Sequence, residues 1–327
     1  LYSQIHKFND DFQKSQAFYI IRQHNIDIQV FFMELITMYK CYSLKHFFSL
    51  LLLDAIIFGM IYIFLGIGKF LFFTSAEYNE DKIFLPVIMY HSITEESPSA
   101  YSVTPSQIEN DLEYLKENGY SSVTAQQLVD YTCNQGELPE KSVLITLDDG
   151  FYNNLYYLAP LLEKYDMTAI VSVVGTYIEN KASADPHIPK YSYLTWDDIN
   201  DMLKTGRFEI GNHTYNMHSS TARKGCKIMN GEDPENYIKI VNQDISLLQQ
   251  SISEHTNTYP IVFAYPYGAC CKEIIPVLKE KGFMITLNCY EKPNYIIRDI
   301  NCLYGINRYN RSGLYSTDEF MKKLLSE

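Results

Sequence analysis

Two adjacent carboxylates, Asp148 and Asp149, stand directly after an apolar run of β-forming residues, Val143–Leu147. A continuous hydrophobic run of this kind is typical of a buried strand in a parallel sheet. In α/β folds, catalytic residues lie where such strands end and loops begin. On this stretch alone two interpretations stay open: a polar turn after a strand, or the carboxylates of an active site.

A pair of histidines five residues apart, His213 and His218, follows another predicted strand. With Asp149 they supply two imidazoles and one carboxylate, a ligand set that suits Zn²⁺ or a similar divalent ion and leaves coordination positions open. Such an ion polarises a carbonyl and makes water more acidic. We assign Asp148 as the base that takes the proton of the attacking water, because it cannot easily reach the same ion from the same direction. Two solvated loop histidines are the alternative interpretation of the pair.

Reactive side chains follow four of the predicted strands, namely His91, the pair Asp148 and Asp149, His213 and Tyr267. In a parallel barrel the carboxyl ends of all strands share one rim, so we expect these residues to converge on a single site. A histidine on that rim, His91, is suited to protonate a leaving group.

The elements that must position these residues alternate between strands and helices. This order predicts a parallel sheet with right-handed crossovers, and six or seven such units predict a distorted or incomplete (β/α) barrel. Hydroxyl residues that can cap helix starts stand at Thr104, Thr124, Thr195 and Thr317, and residues 179–193 are predicted to be a polar loop.

The composition excludes several classes of protein. Of 327 residues, 46% are hydrophobic and 20% charged, so the chain can bury a core, and its net charge of −12 argues against a nucleic-acid partner. None of the seven cysteines forms a Cys-x-x-Cys pair, which argues against a structural zinc site. A disulfide within the group Cys270, Cys271, Cys289 and Cys302 is one possibility for an exported domain, and free buried thiols are the other.

The most apolar stretch, Phe47–Phe73, is long enough to span a bilayer. Its internal acid, Asp54, costs about 2.5–3.5 kcal/mol at the centre of a membrane helix and less near an end, which the many Leu, Ile and Phe residues can offset. A buried core helix is the alternative, disfavoured because the stretch has almost no polar face. Basic residues precede the stretch and acidic residues follow it, so the positive-inside tendency predicts that the chain after Ala76 is extracytoplasmic.

We therefore predict a cytoplasmic segment over residues 1–46, a transmembrane helix over 47–73, a linker over 74–83 and one domain over 84–327. The protein is then a single-pass component of the cell membrane with its domain outside. The first residue is Leu1, and Met33 or Met38 would be a more natural start; peptide mapping of the native amino terminus tests this hypothesis.

Three stretches of the chain, Thr146–Gly150, His213–His218 and Phe263–Gly268, resemble three motifs of the polysaccharide deacetylases, the NodB-homology group or carbohydrate esterase family 4. The resemblance covers about residues 84–310, with the motifs in the family's order and at predicted strand ends. It implies a distorted (β/α) barrel and metal-dependent removal of acetyl groups from N-acetylated sugars.

The resemblance also implies a role for each matching residue. The first aspartate of the first motif is the base, which corresponds to Asp148. The second aspartate and the two histidines of the second motif are metal ligands, corresponding to Asp149, His213 and His218. The backbone N–H of the tyrosine in the third motif helps to hold the oxyanion, which corresponds to Tyr267.

Two departures from the common pattern are informative. Many members space the two histidines four apart, and the wider spacing, together with the segment that ends at His91, resembles the branch that deacetylates poly-N-acetylglucosamine. In that branch the early histidine is the general acid, which corresponds to His91. Many members also place an arginine before the Pro-Tyr element to tune the base; here Phe263 stands near that place, and Arg308 is a candidate substitute.

The expected function is thus a membrane-anchored, metal-dependent deacetylase that releases acetate from a cell-surface polysaccharide of N-acetylglucosamine type. Zn²⁺ is the expected metal, with Co²⁺ and Ni²⁺ as alternatives. The alternative substrate is peptidoglycan, at its N-acetylglucosamine or N-acetylmuramic acid. A non-catalytic carbohydrate-binding module on a degenerate deacetylase fold is the alternative from another class, disfavoured because the set of acids and ligands is complete.

Overall fold

The structure is a computed structural model, and it describes residues 51–53, 56–58, 82–181, 187–221 and 223–326. The chain divides after Asn79, and the fold below belongs to the second unit, Glu80–Glu327. Within the described ranges, no helix combines the length and the hydrophobicity needed to cross a bilayer. The segments predicted for 1–46, 47–73 and 74–83, and both candidate starts, lie almost entirely outside those ranges and stay predictions.

A curled parallel sheet forms the centre of the fold. Its strands and the smaller ones around it are β1 (Ile83–Phe84), β2 (Val87–Tyr90), β3 (Ser92–Ile93), β4 (Ser102–Val103), β5 (Ser121–Ser122), β6 (Ser142–Asp149), β7 (Ala169–Val173), β8 (Phe208–Asn212), β9 (Val262–Ala264), β10 (Ile285–Leu287), β11 (Tyr295–Ile296), β12 (Tyr304–Ile306) and β13 (Tyr309–Asn310). In the described part of the chain the central order is β12-β10-β9-β8-β7-β6-β2-β13, with β5 beside β6. All of these pairs are parallel.

The two edge strands of this sheet, β12 and β13, are consecutive in the sequence. Strand β12 lies at one end of the order and β13 at the other, yet only Asn307 and Arg308 separate them along the chain. A link this short reaches about 11 Å at most, because an extended chain rises roughly 3.3–3.6 Å per residue. The sheet must therefore curl until its edges nearly touch, as the predicted distorted barrel requires. We call residues 307–308 the seam.

Helices cover the sheet from the outside. They are α1 (Pro105–Glu117), α2 (Ala125–Thr132), α3 (Ala159–Tyr165, preceded by a π-helical turn over Asn154–Leu158), α4 (Gly175–Lys181), α5 (Trp196–Lys204), α6 (Pro234–Thr256), α7 (Ile274–Glu280) and α8 (Thr317–Leu324).

Three of the four predicted helix caps are confirmed. Thr104, Thr124 and Thr195 each cap a helix through a reciprocal capping box, which satisfies backbone donors at both ends of the first turn. The fourth was wrong by one residue: Ser316 caps α8, with Glu319 closing the box. Thr317 is instead the first helical residue, and its hydroxyl donates to Asp111 at 2.6 Å.

Strand β6 shows how the core is divided. Val143, Ile145 and Leu147 pack with the helices in one hydrophobic cluster, whereas Leu144 packs in a second cluster on the opposite face. This alternation follows from the period of two residues in a strand. The continuous apolar run is needed because both faces of the strand are buried.

A buried ion pair fastens the segment after β13 to the helical layer. Arg311 donates to both carboxylate oxygens of Asp111 at 2.6 and 3.1 Å, and both side chains are fully buried. Tyr90, at the end of β2, donates to the same carboxylate at 2.9 Å. Because every carboxylate oxygen is paired, the cost of burying the charge is offset, and β2 and β13 are held in place beside the site.

Candidate active site

The six residues that the sequence predicts to bind metal or to take part in catalysis line one cavity. It has a volume of about 600 Å³ and lies at the carboxyl ends of the central strands. The lining includes His91, Asp148, Asp149, His213, His218 and Tyr267. Convergence follows from topology, because β2, β6, β8 and β9 are parallel members of one sheet and their carboxyl ends share an edge.

Asp149, His213 and His218 form a group that fits a metal ion. One ligand atom from each lies within 4.8 Å of the others. Oδ1 of Asp149 is 3.1 Å from Nε2 of His218 and 3.7 Å from Nε2 of His213, and this oxygen is buried without a hydrogen-bond partner among the described residues. A buried carboxylate oxygen is costly to leave unpaired, and a divalent cation between these three atoms would satisfy it.

The second nitrogen of His213 shows which nitrogen is available for a metal. Nδ1 lies 2.8 Å from the carbonyl oxygen of Ala264. A carbonyl can only accept, so Nδ1 carries the proton and the neutral ring presents the lone pair of Nε2 to the site. Burial lowers the pKa of His213, which favours this neutral form.

The backbone turns at the rim adopt a conformation that residues with a Cβ seldom take. Asp149 has φ of 74°, Thr214 of 73° and Tyr267 of 57°, all in the left-handed region. Such conformations are disfavoured for non-glycine residues and cluster at functional sites. Each of the three motifs therefore contributes one left-handed non-glycine residue to the rim.

The carboxylate of Asp148 is held by the arginine of the seam. Arg308 is fully buried, and its Nη1 and Nη2 each donate to one oxygen of Asp148 at 2.7 Å. Its Nε donates to the carbonyl oxygen of Asn288 at 2.9 Å. Burial alone would raise the pKa of Asp148, but Arg308, together with His213 and His91, outweighs it and holds that pKa well below its usual range. The candidate substitute for the missing arginine thus contacts the predicted base.

His91 lies at the end of β2, beside Asp148. Burial lowers the pKa of His91 and outweighs the opposing effect of Asp148 and Asp149, so the imidazole is neutral at pH 7. Its ring packs edge-on against Tyr101, with 5.2 Å between centroids. To act as a general acid, His91 must first take up a proton during the reaction.

The possible disulfide among the carboxyl-terminal cysteines does not form. Cys270, Cys271, Cys289 and Cys302 are free thiols in the structure, as are the other described cysteines. Cys289 lines the cavity, with Sγ 3.8 Å from Nη2 of Arg308. Burial raises the pKa of this thiol, so it stays protonated beside the ion pair.

The loop that carries His213 and His218 is hydrogen-bonded to helix α4. This helix was not predicted from the sequence, and its last residues lie in the segment 179–193, which was predicted to be a loop. The N–H of Gly175 donates to the carbonyl oxygen of Thr214 at 3.1 Å, and that of Thr176 to Tyr215 at 2.8 Å. The sequence has no residue with a capping side chain directly before this short helix. Its start is set by these tertiary contacts, which sequence patterns do not show.

We expect Gly175→Ala to loosen the histidine loop. A Cβ at this position would overlap the ring of Tyr215, so either the loop or the helix must move. Overpacking of this kind costs about 1–3 kcal/mol. Chemical denaturation measures the loss, and competition with a chelator should show weaker zinc binding.

Gly136→Ala is the matched control, because its Cβ would meet only an ordinary contact at 3.4 Å with Cβ of Asp130. Equal stability and equal zinc affinity in the two variants would contradict the expectation.

Comparison with known proteins agrees with the fold and the motifs. Residues 135–286 match the family described as polysaccharide deacetylase. A poly-β-1,6-N-acetyl-D-glucosamine N-deacetylase of Staphylococcus aureus (strain COL) is 26% identical over 250 residues, which cover 72% of this chain and 80% of the relative.

Solved structures share the architecture. The structure of IcaB from Ammonifex degensii aligns with a TM-score of 0.62 at 24% identity, over 74% of this chain and 97% of that chain. The Streptococcus pyogenes deacetylase PplD in complex with acetate aligns with a TM-score of 0.61 at 20% identity, over 75% and 100%. Because both sequence identities are below 25%, these alignments support the fold alone. The matched family and the three motifs indicate the type of domain. The chain therefore carries a polysaccharide deacetylase domain of the NodB-homology group, carbohydrate esterase family 4.

Proposed function

We propose that the protein hydrolyses the N-acetyl groups of a cell-surface polysaccharide of N-acetylglucosamine type, of the β-1,6 class, and releases acetate. The observation that carries this proposal is one cavity in which the Asp149, His213 and His218 group lies next to an ionised Asp148. The substrate class is supported by the curated relatives, which are named for poly-β-1,6-N-acetyl-D-glucosamine.

Each residue of the site has a separate role in the hydrolysis. Asp149 Oδ1 and Nε2 of His213 and His218 would hold a divalent ion, for which we propose Zn²⁺, with Co²⁺ or Ni²⁺ as alternatives. Bound there, the ion would polarise the acetamide carbonyl and lower the pKa of water. Asp148 accepts the proton of the attacking water, and the backbone N–H of Tyr267 donates to the oxygen that becomes negative.

The leaving nitrogen requires a proton before the C–N bond breaks. We assign this donation to His91, which lines the same cavity. Because its pKa is lowered, His91 is neutral at the outset, and it receives the proton that Asp148 has taken from water. One water is consumed, and acetate and a free amine are released.

Aromatic side chains at the mouth suit a sugar polymer. Tyr101 is 63% exposed and Tyr267 is 43% exposed, and both line the cavity. Exposed aromatic faces without an apolar partner often mark binding surfaces, and a pyranose ring can pack its C–H face against them.

We also propose the membrane location. The apolar stretch 47–73, with basic residues before it and acidic residues after it, supports a single anchoring helix with the domain extracytoplasmic. An enzyme held there would reach a polymer at the cell surface.

Acetate release from a panel of polymers tests the function. Poly-β-1,6-N-acetylglucosamine, purified peptidoglycan and β-1,4-linked chitin oligomers are incubated with the zinc-loaded full chain. We expect release from the β-1,6 polymer and little from the other two. Release from peptidoglycan alone would show that peptidoglycan is the substrate. Binding of a polymer without acetate release from any of the three would favour the non-catalytic carbohydrate-binding module.

A further inference from the structure

The second nitrogen of His218 contacts a side chain that lies behind the site. Nδ1 is 3.0 Å from the hydroxyl oxygen of Tyr177 in helix α4 and 3.3 Å from that of Tyr267. Tyr177 is half-buried and is not among the described residues that line the cavity, whereas Tyr267 lines it. The shorter contact is therefore made by a residue that a substrate in the cavity would not touch.

The chemistry of a metal-ligating imidazole sets the direction of this hydrogen bond. Nε2 of His218 faces Oδ1 of Asp149, so its lone pair is the one available to an ion. The neutral ring then carries its proton on Nδ1, and the hydroxyl oxygen of Tyr177 accepts it. A hydrogen bond at the far nitrogen fixes both the tautomer and the orientation of the ring.

We propose that Tyr177 is a positioning residue for the metal ligand His218, and that its hydroxyl raises the affinity of the site for a divalent cation. The inference rests on the metal site of the proposed function and extends it to a residue outside the three motifs. His213 does not need such a residue, because the main-chain carbonyl of Ala264 holds its Nδ1.

The placement of Tyr177 is rigid enough for this role. Helix α4 is joined to the histidine loop by the two backbone hydrogen bonds from Gly175 and Thr176, so the hydroxyl and the imidazole belong to one docked unit. The Tyr177 ring also packs against Tyr193, with 4.5 Å between centroids. Little side-chain freedom is left to be lost when the hydrogen bond forms.

The five-residue spacing of the two histidines explains why His218 needs the hydrogen bond to Tyr177. The segment 213–218 is not a helix in the structure, so regular helical geometry does not present the two rings to one point. The left-handed Thr214 turns the chain between them. The orientation of His218 must therefore come from its neighbours, and Tyr177 provides the shortest polar contact to its Nδ1.

Zinc affinity of Tyr177→Phe tests the proposal. The variant keeps the ring and removes only the hydroxyl, and we expect zinc binding to weaken about 10- to 100-fold, as for other residues that orient metal ligands. Equilibrium competition with a chromogenic chelator measures the affinity on the full chain. The thermal unfolding of the metal-free protein should change only slightly, because a single hydrogen bond is removed.

Tyr193→Phe is the matched control. Tyr193 belongs to the same aromatic contact, but its hydroxyl makes no hydrogen bond to the described residues, so the affinity should equal that of the wild type. Equal losses in the two variants would overturn the proposal, because they would point to aromatic packing. Unchanged affinity in Tyr177→Phe, with zinc bound normally by the wild type, would overturn the proposal alone.

A measurement on the wild type completes the test. In the zinc-loaded protein, the Nδ1–H proton of His218 should exchange slowly with solvent in NMR spectra, and it should exchange faster in Tyr177→Phe. Fast exchange in the wild type would contradict the hydrogen bond. A wild-type chain that binds no divalent metal would overturn the proposed function, and this inference with it.

Discussion

Asp149→Ala is expected to abolish stable zinc binding and acetate release together, whereas Asp148→Asn should keep zinc and lower acetate release by about 10²–10⁴-fold, the usual contribution of a general base. The two carboxylates are adjacent in sequence, yet they face different partners. Asp149 lies between the imidazoles of His213 and His218, and Asp148 lies against the guanidinium of Arg308. Removal of a ligand and removal of a base should therefore give different patterns of loss.

Metal content of the purified variants and initial rates of acetate release measure this difference. Asp148→Asn leaves the buried charge of Arg308 only partly satisfied, so thermal unfolding of each variant must accompany the rates. Full acetate release by Asp149→Ala would rule out the metal mechanism. Parallel loss of zinc in both variants would show that Asp148 is a ligand rather than the base.

Arg308→Met is expected to destabilise the fold by about 3–5 kcal/mol, because it leaves the carboxylate of Asp148 buried without its partner. Arg308 is fully buried and makes both of its bonds to Asp148 at 2.7 Å, and it belongs to the seam between the two sheet edges. Acetate release should fall as well, since the orientation of Asp148 depends on the two parallel bonds. Arg308→Lys, which keeps the charge without the planar fork, should fall between the wild type and Arg308→Met.

Urea denaturation gives the free energy of unfolding, and Arg207→Met is the control. Arg207 pairs with Glu163 and Asp166 at the surface, where an ion pair contributes about 0–1 kcal/mol. Equal effects of the two arginine variants would contradict the claim that the Asp148 pair is special.

The pH dependence of the Arg308→Met effect has a defined sign. The pKa of Asp148 is lower in the folded protein than its unfolded value of about 3.9. The stability that the pair contributes is therefore present above that unfolded pKa and is lost as the pH falls toward the folded pKa. The difference between wild type and variant should shrink in acid.

The location of the site could be predicted from the sequence, because it depends on a rule of topology. Residues at the carboxyl ends of parallel strands share one edge, so His91, Asp149 and His213 had to meet once the strands were recognised. The helix caps Thr104 and Thr124 were equally accessible, since a cap involves residues three apart in the chain.

The supports of the site could not be predicted in the same way. Helix α4 has no local start signal, and Tyr177 meets His218 only because 41 residues of chain return to the same place. Arg308 was a candidate from its residue type alone, and its contact with Asp148 spans 160 residues. Such contacts depend on how the sheet curls, which hydrophobic patterns do not specify.

The position of the seam near the end of the chain also sets the order in which the parts of the site are synthesised. A ribosome delivers His91, Asp148, His213 and Tyr267 before it delivers Arg308, so a growing chain holds the reactive groups before it holds the guanidinium that completes them. Closure of the barrel and formation of the Asp148–Arg308 ion pair then depend on the same late-synthesised segment, residues 307–308.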